Sequence, residues 1–333
     1  MTRTHEDDRA EQGLQAPRGA IADVAARRPL LRGAVQLAGF LVGVGLLAWA
    51  VAIALQEKNR ASLEAVVSSE PGTVAWLLTV SAASVAVNGL MFWVVLRPLK
   101  RLNALDAVLT NAIAVFLSAL PFKINLIVRV MIHHRRDGVA FKDIVSWLAA
   151  MTALALSVLV PVGLAGWWRG TIDAAWWAAA LGGAALCAGV GVGLGYAALR
   201  WRVLSLLSLG ADRIVRHVPT VAGHTVLRLG DVGLLCLRFM AAAHAAHIDL
   251  PPERTVLLAT TYFLLSVFAP AGALGFREIG VAGVGVATGG DSSQVALVTL
   301  IVTAAEFLAS GAMSVPAFFR LRPDRLWAAR KAA

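Results

Sequence analysis

The hydrocarbon core of a bilayer, roughly 30 Å thick, is crossed by about 20 apolar residues of helix. Six runs of this chain reach that length: 33–55, 73–96, 143–168, 174–199, 224–247 and 292–319. Two more apolar stretches, 104–132 and 255–288, are interrupted by proline, glycine or charge. Composition agrees with the run lengths. Of 333 residues, 58% are hydrophobic and 15% charged, and mean hydropathy is +0.72. Soluble domains carry about 25% charged residues. A soluble globular enzyme, a disordered chain and a fibrous repeat are excluded, and an all-α integral membrane protein is expected. Both cysteines, Cys187 and Cys236, lie inside apolar runs, which excludes a disulfide framework and a Cys-based metal cluster. No cofactor or metal is expected. The formal charge of +10 does not read as nucleic-acid binding, because the aromatics are embedded in apolar runs and no soluble module is long enough.

The position of the basic residues sets the expected topology. Segments 97–103, 133–142, 200–223 and 320–333 hold fifteen Lys and Arg, whereas 56–72, 169–173, 248–254 and 289–291 hold four. By the positive-inside rule the first set is cytoplasmic and the second external. Trp167, Trp168, Trp176 and Trp177 bracket one external loop as an interfacial belt. Residues 1–28 carry five basic and five acidic side chains and read as a cytoplasmic tail before a signal-anchor helix. The membrane domain is expected over 29–325, with 326–333 a basic cytoplasmic tail. The expected location is a bacterial-type cytoplasmic membrane, both termini inside.

Under this topology each interrupted stretch enters and leaves on one side: 104–132 from the cytoplasm and 255–288 from outside. Each is then a re-entrant hairpin or a pair of short helices, and such backbone at membrane depth is tolerated only when buried in protein or lining a wet cavity. The two resemble each other. Ser118 and then Pro121 precede Arg129; Ser266 and then Pro270 precede Arg277; both the serines and the arginines are 148 residues apart. The same offset lays 73–168 over 221–316 with opposite orientation, the pattern of an inverted-topology repeat. The fold expected is therefore six full spans plus two oppositely oriented broken hairpins. Chance recurrence of Ser-Pro breaks and arginines in apolar sequence is the competing explanation.

Charged side chains near a bilayer centre cost on the order of 3 kcal/mol, so they mark either a site or a buried pair. Lys123, Asn125 and Arg129 follow the first break, and Arg277 and Glu278 the second, beyond Gly272 and Gly275. Arg238 and Glu306 lie mid-span, and Arg228 and Asp231 share one helix face. In the functional reading, Arg129 and Arg277 hold an anionic group such as a lipid phosphate, which an Arg fork suits, with Ser118, Ser266 and freed backbone N–H groups beside them. In the structural reading, Arg277, Glu278, Arg238 and Glu306 pair with one another and join helices. Glu306 as a proton carrier is a third possibility. His244 and His247 have no partner at metal-ligand spacing and read as a wet interfacial face. Glycines 189, 191, 193 and 195 read as close helix packing, and 200–218 as an amphipathic surface helix.

The run Pro270-Ala-Gly-Ala-Leu-Gly-Phe-Arg-Glu278, a glycine-spaced apolar stretch and a closing span with Glu306 resemble the second signature of the flippase-like family, the lysylphosphatidylglycerol synthase transmembrane region. Leu120-Pro121 to Arg129, then Arg135-Arg136-Asp137-Gly138, is similar to the earlier signature, although Phe122-Lys-Ile-Asn-Leu-Ile-Val128 stands where glycines and an acid are usual. The resemblance spans roughly 30–325 and implies movement of lipids between leaflets. The soluble aminoacyl-transfer domain of bifunctional members is not seen, so synthase activity is not carried over. The extra cation Lys123 makes an anionic lipid at least as plausible as a cationic aminoacyl lipid. The expected function is translocation of an anionic phospholipid or polyprenyl-phosphate-linked lipid by a non-enzyme. Its rivals are a membrane-embedded group transferase and a non-transporting assembly subunit of a cell-envelope complex. No HExxH, Ser/His/Asp grouping or Asp-rich loop supports the transferase.

Overall fold

The structure is a computed structural model that describes residues 37–39, 41–120, 123–268 and 275–322. The tails 1–28 and 326–333 and the break residues Pro121, Pro270 and Gly272 lie outside the described residues. Among the described residues every regular element is helical. Helix α1 covers Leu37–Ala54. It is followed by α2 (Arg60–Val67), α3 (Pro71–Leu96), α4 (Ala104–Phe116), α5 (Ile124–Met131), α6 (Phe141–Arg169) and α7 (Ala174–Ala197). After them come α8 (Arg202–Leu207), α9 (Asp212–Val215), α10 (Val218–Ala245), α11 (Pro252–Phe268), α12 (Phe276–Ala287) and α13 (Ser292–Leu321).

Local chemistry accounts for the boundaries. Asn103, Asp173 and Asp291 accept backbone N–H groups at the starts of α4, α7 and α13, satisfying donors that a first helical turn leaves open. Pro71 and Pro219 stand in first turns, where a missing N–H is harmless. Gly170, at φ 63°, ends α6.

Five helices are long and apolar enough to cross a membrane: α1, α3, α6, α7 and α13. The expected run 224–247 lies in α10, 28 residues long and so about 42 Å. It falls outside that class because it carries Arg228, Asp231 and Arg238, which it turns inward. All three are buried, and α10 packs along α3. One apolar core joins Leu77 of α3, Leu235 and Phe239 of α10, Leu258 and Tyr262 of α11, Val281 of α12 and Val302 of α13.

In each interrupted stretch the end of the second helix lies beside the start of the first. Arg136, just after α5, pairs with Asp106 in the first turn of α4 at 2.8 Å. Arg254 near the start of α11 donates to the Thr288 carbonyl after α12 at 3.1 Å. The same kind of contact sorts the loops. Lys100 donates to the Gly138 carbonyl, Arg213 pairs with Asp143, and Arg320 with Asp106. Segments 97–103, 133–142 and 200–223 and the end of α13 at Arg320 therefore share one end of the bundle. At the other end Lys58 pairs with Asp291, and Ser69 donates to the Ala245 carbonyl.

Two sequence expectations are corrected. Glycines 189, 191 and 193 have open space where a side chain would stand, and only Gly195 lies tight, against Val215 and Arg216. Most of that glycine face is unpartnered among the described residues. The 200–218 surface segment is two short helices, because Leu209 and Gly210 take positive φ (52° and 84°) and a Cβ at Gly210 would meet Ser146 Oγ at 2.5 Å.

Candidate functional site

Residues on either side of the two breaks border one cavity of about 420 Å³. Ser118 (beyond α4), Lys123, Asn125 and Arg129 border it from the first unit, Ser266 and Arg277 from the second, and Glu306 from α13. Seven of the nine polar positions expected from the sequence thus meet at one place.

Arg129 is buried on α5 and donates from Nη2 to Asn111 Oδ1 at 2.8 Å. Asn111 is fixed in turn by donating to the Val85 carbonyl at 2.8 Å. The guanidinium lies over the Phe92 ring, 3.6 Å from its centroid, a cation–π contact strengthened by desolvation. Among the described residues no carboxylate lies within ion-pair reach of Arg129. Lys123, in left-handed backbone at φ 48°, begins α5 on the exposed edge of the cavity.

The second half is electrically different. Arg277 Nη1 pairs with Glu306 Oε2 at 3.0 Å, and its guanidinium sits 4.4 Å from the Tyr262 ring centroid. Tyr262 donates its hydroxyl to the same Glu306 oxygen at 2.6 Å. Arg238 approaches the other Glu306 oxygen at 3.8 Å and donates to the Val302 carbonyl. Glu306 therefore stands between two arginines, of which Arg277 borders the cavity with it and Arg238 does not.

Glu278 and Arg238 do not border the cavity. Glu278 is fully buried; it accepts from the Gly275 N–H at 2.6 Å and from Thr303 Oγ1 at 2.8 Å, with Arg277 Nε at 3.9 Å. Its first task is to hold the start of α12. Gly275 occurs at φ 81°, and a Cβ there would overlap the Gly43 carbonyl of α1, so two constraints demand glycine at this break. Ser118 and Ser266 spend their hydroxyl protons on the Val115 and Tyr262 carbonyls, leaving oxygen lone pairs rather than donors toward the cavity. Behind it, Arg228 and Asp231 form a buried pair at 3.0 Å to which Ser84 donates.

Four residues at the site were not anticipated: Asn111, Phe92, Tyr262 and Thr303. Asn111 is seven residues before Ser118, and Tyr262 four before Ser266, so helical periodicity carried a signal for both. Nothing in the sequence marks Phe92.

The lysylphosphatidylglycerol synthase TM region matches the chain over residues 36–313. The chain belongs to this family. The match takes in both breaks, Arg129, Arg277 and Glu306. No curated protein and no solved structure matches the chain. Family membership makes it a multi-pass membrane protein with a lipid-related role, and no soluble domain of the family is detected.

Proposed function

We propose that this protein translocates a lipid with an anionic headgroup between leaflets by alternating access, and that it is a transporter rather than an enzyme. The observation that carries the reading is Arg129: a buried cation held in a fixed pose by neutral partners, facing the same polar cavity as Arg277. A buried charge without a counter-ion is costly, and an anionic headgroup supplies the missing partner. The apolar tails would stay in lipid beside Leu126 and Val267, each 37% exposed at the cavity's edge.

An inverted repeat supports the alternating-access mechanism. At an offset of 148 residues, α3 falls on α10, α4 on α11 and α6 on α13, within a few residues at each end. The packing is exchanged in the same sense: α4 lies against α13, and α11 against α6. In this reading the two helix–break–helix units are re-entrant hairpins entering from opposite leaflets, and rocking of the halves exposes the cavity to each side in turn. The basic end of the bundle faces the cytoplasm of a bacterial-type inner membrane.

The test is translocation of a fluorescent anionic phospholipid in proteoliposomes, read by quenching from outside. Wild type moves the lipid; Arg129→Ala and Arg277→Ala each lose most of that activity; the double variant loses little more, because residues acting as one unit are not additive. Full activity in a stably inserted Arg129→Ala variant would overturn the reading and favour an assembly subunit.

A further inference from the structure

The charges around the cavity specify more than its sign. Four charged side chains border it: Lys123, Arg129, Arg277 and Glu306. Just behind them lie Arg238 and Glu278, within about 4 Å of the Arg277–Glu306 pair. In the second half two arginines face two glutamates and the sum is zero. In the first half Arg129 and Lys123 have no acid among the described residues. The cavity is therefore left with two positive charges that no carboxylate among the described residues balances.

We infer that the headgroup this cavity takes is a dianion, the terminal phosphate of a phosphomonoester lipid, in preference to a phosphodiester, a zwitterion or an aminoacyl lipid. The inference rests on the lipid-transport reading above and narrows its substrate. A phosphomonoester carries about −1.5 to −2 at pH 7, with a second ionisation near pH 6, and presents three acceptor oxygens. A phosphodiester carries one charge and leaves one of the two cations unanswered. A zwitterionic or aminoacyl headgroup adds an ammonium beside Lys123 and Arg129, and like charges in a low-dielectric site repel strongly.

The donors suit this group. Asn111 and the Phe92 ring fix one edge and one face of the Arg129 guanidinium, so its remaining N–H groups are presented in a rigid fork that matches phosphate oxygens. Lys123 is at the exposed edge, placed to meet the phosphate on entry as a mobile point charge. The neutral side chains of Asn88, Asn125 and Thr152 complete the polar lining. No histidine borders the cavity among the described residues, so between pH 7.5 and pH 5 the phosphomonoester itself is the group expected to change charge.

The experiment measures binding to the purified full chain in detergent, with phosphatidic acid, phosphatidylglycerol and phosphatidylcholine of identical short chains and with inorganic phosphate. At pH 7.5 phosphatidic acid should bind about tenfold or more tightly than phosphatidylglycerol, about 1.4 kcal/mol, and phosphatidylcholine more weakly still. At pH 5, where both acidic headgroups carry one charge, the preference should fall to near unity. Lys123→Gln, at an exposed position, should reduce the preference several-fold at pH 7.5, and Arg129→Gln should abolish it. Equal affinity for phosphatidic acid and phosphatidylglycerol at pH 7.5, or a preference that neither variant changes, would overturn the inference. Inorganic phosphate binding as tightly as phosphatidic acid would overturn the lipid as its source. Selective binding without translocation of any lipid would retire the transport reading and keep the site. Translocation with no headgroup preference would do the reverse.

Discussion

At the scale of single residues, the two arginines that look equivalent in sequence have opposite surroundings. Arg129 rests on an amide and a ring, whereas Arg277 shares Glu306 with Arg238 and Tyr262. This makes a stability prediction. Removing Arg277 leaves Glu306 with Arg238 and Tyr262, so Arg277→Gln should cost the smaller amount. Removing Glu306 leaves two buried arginines facing each other, so Glu306→Gln should approach the about 3–5 kcal/mol of a broken buried pair. The double variant should be more stable than the two losses added together, because the partners are coupled. Thermal unfolding of the purified protein in detergent measures all three, and strict additivity would mean that Arg277 and Glu306 do not interact. The site was legible where it rests on cost: an Arg, Lys or Glu in an apolar run is expensive and so stands out. It was illegible where it rests on aromatic faces and neutral amides. Phe92 among apolar neighbours looks like any core residue, and which carboxylate answers which arginine depends on tertiary distance. Within the expected group of four charges, Arg277 lies tightest on Glu306, 29 residues away, at 3.0 Å, with Glu278 at 3.9 Å.

At the scale of elements, the five long apolar helices followed from the sequence because run length is a local property. The glycines of α7 were harder to read. A charge-bearing helix crosses the bundle only because α3 and its neighbours bury its polar face, and GxxxG spacing permits close packing without requiring a partner. The break at Gly275 gives the sharpest test of an element. Gly275→Ala forces a Cβ onto the α1 backbone and an L-residue into φ 81°; the backbone strain alone is about 1–3 kcal/mol. Gly283 lies inside α12 with open space around it. Gly283→Ala should leave stability unchanged or raise it by up to about 1 kcal/mol. A thermal-unfolding comparison in which the two variants match would show that the α12 start does not depend on close contact with α1.

At the scale of the whole molecule, the distribution of basic residues and the packing of the loops are independent observations that divide the chain in the same way. Charge counting needs no coordinates, and the contacts Lys100–Gly138, Arg213–Asp143 and Arg320–Asp106 need no charge counting. Both assign 97–103, 133–142, 200–223 and the C-terminal end of α13 to one end. If that end is cytoplasmic, single cysteines at exposed positions should respond to an impermeant thiol reagent according to it, in a Cys187→Ser, Cys236→Ser background. Arg101→Cys and Lys142→Cys flank the first helix–break–helix unit, and both should be labelled only when the cytoplasmic face is open to the reagent. Glu70→Cys and Thr171→Cys lie at the opposite end and should be labelled in intact cells. Arg101→Cys and Lys142→Cys reacting from opposite sides would mean that α4 and α5 together cross the bilayer. The first break could not then be a hairpin tip, and Arg129 and Arg277 could not be offered to one headgroup from opposite leaflets. Same-side labelling of that pair, with Glu70→Cys on the other side, is the arrangement that the proposed alternating access requires.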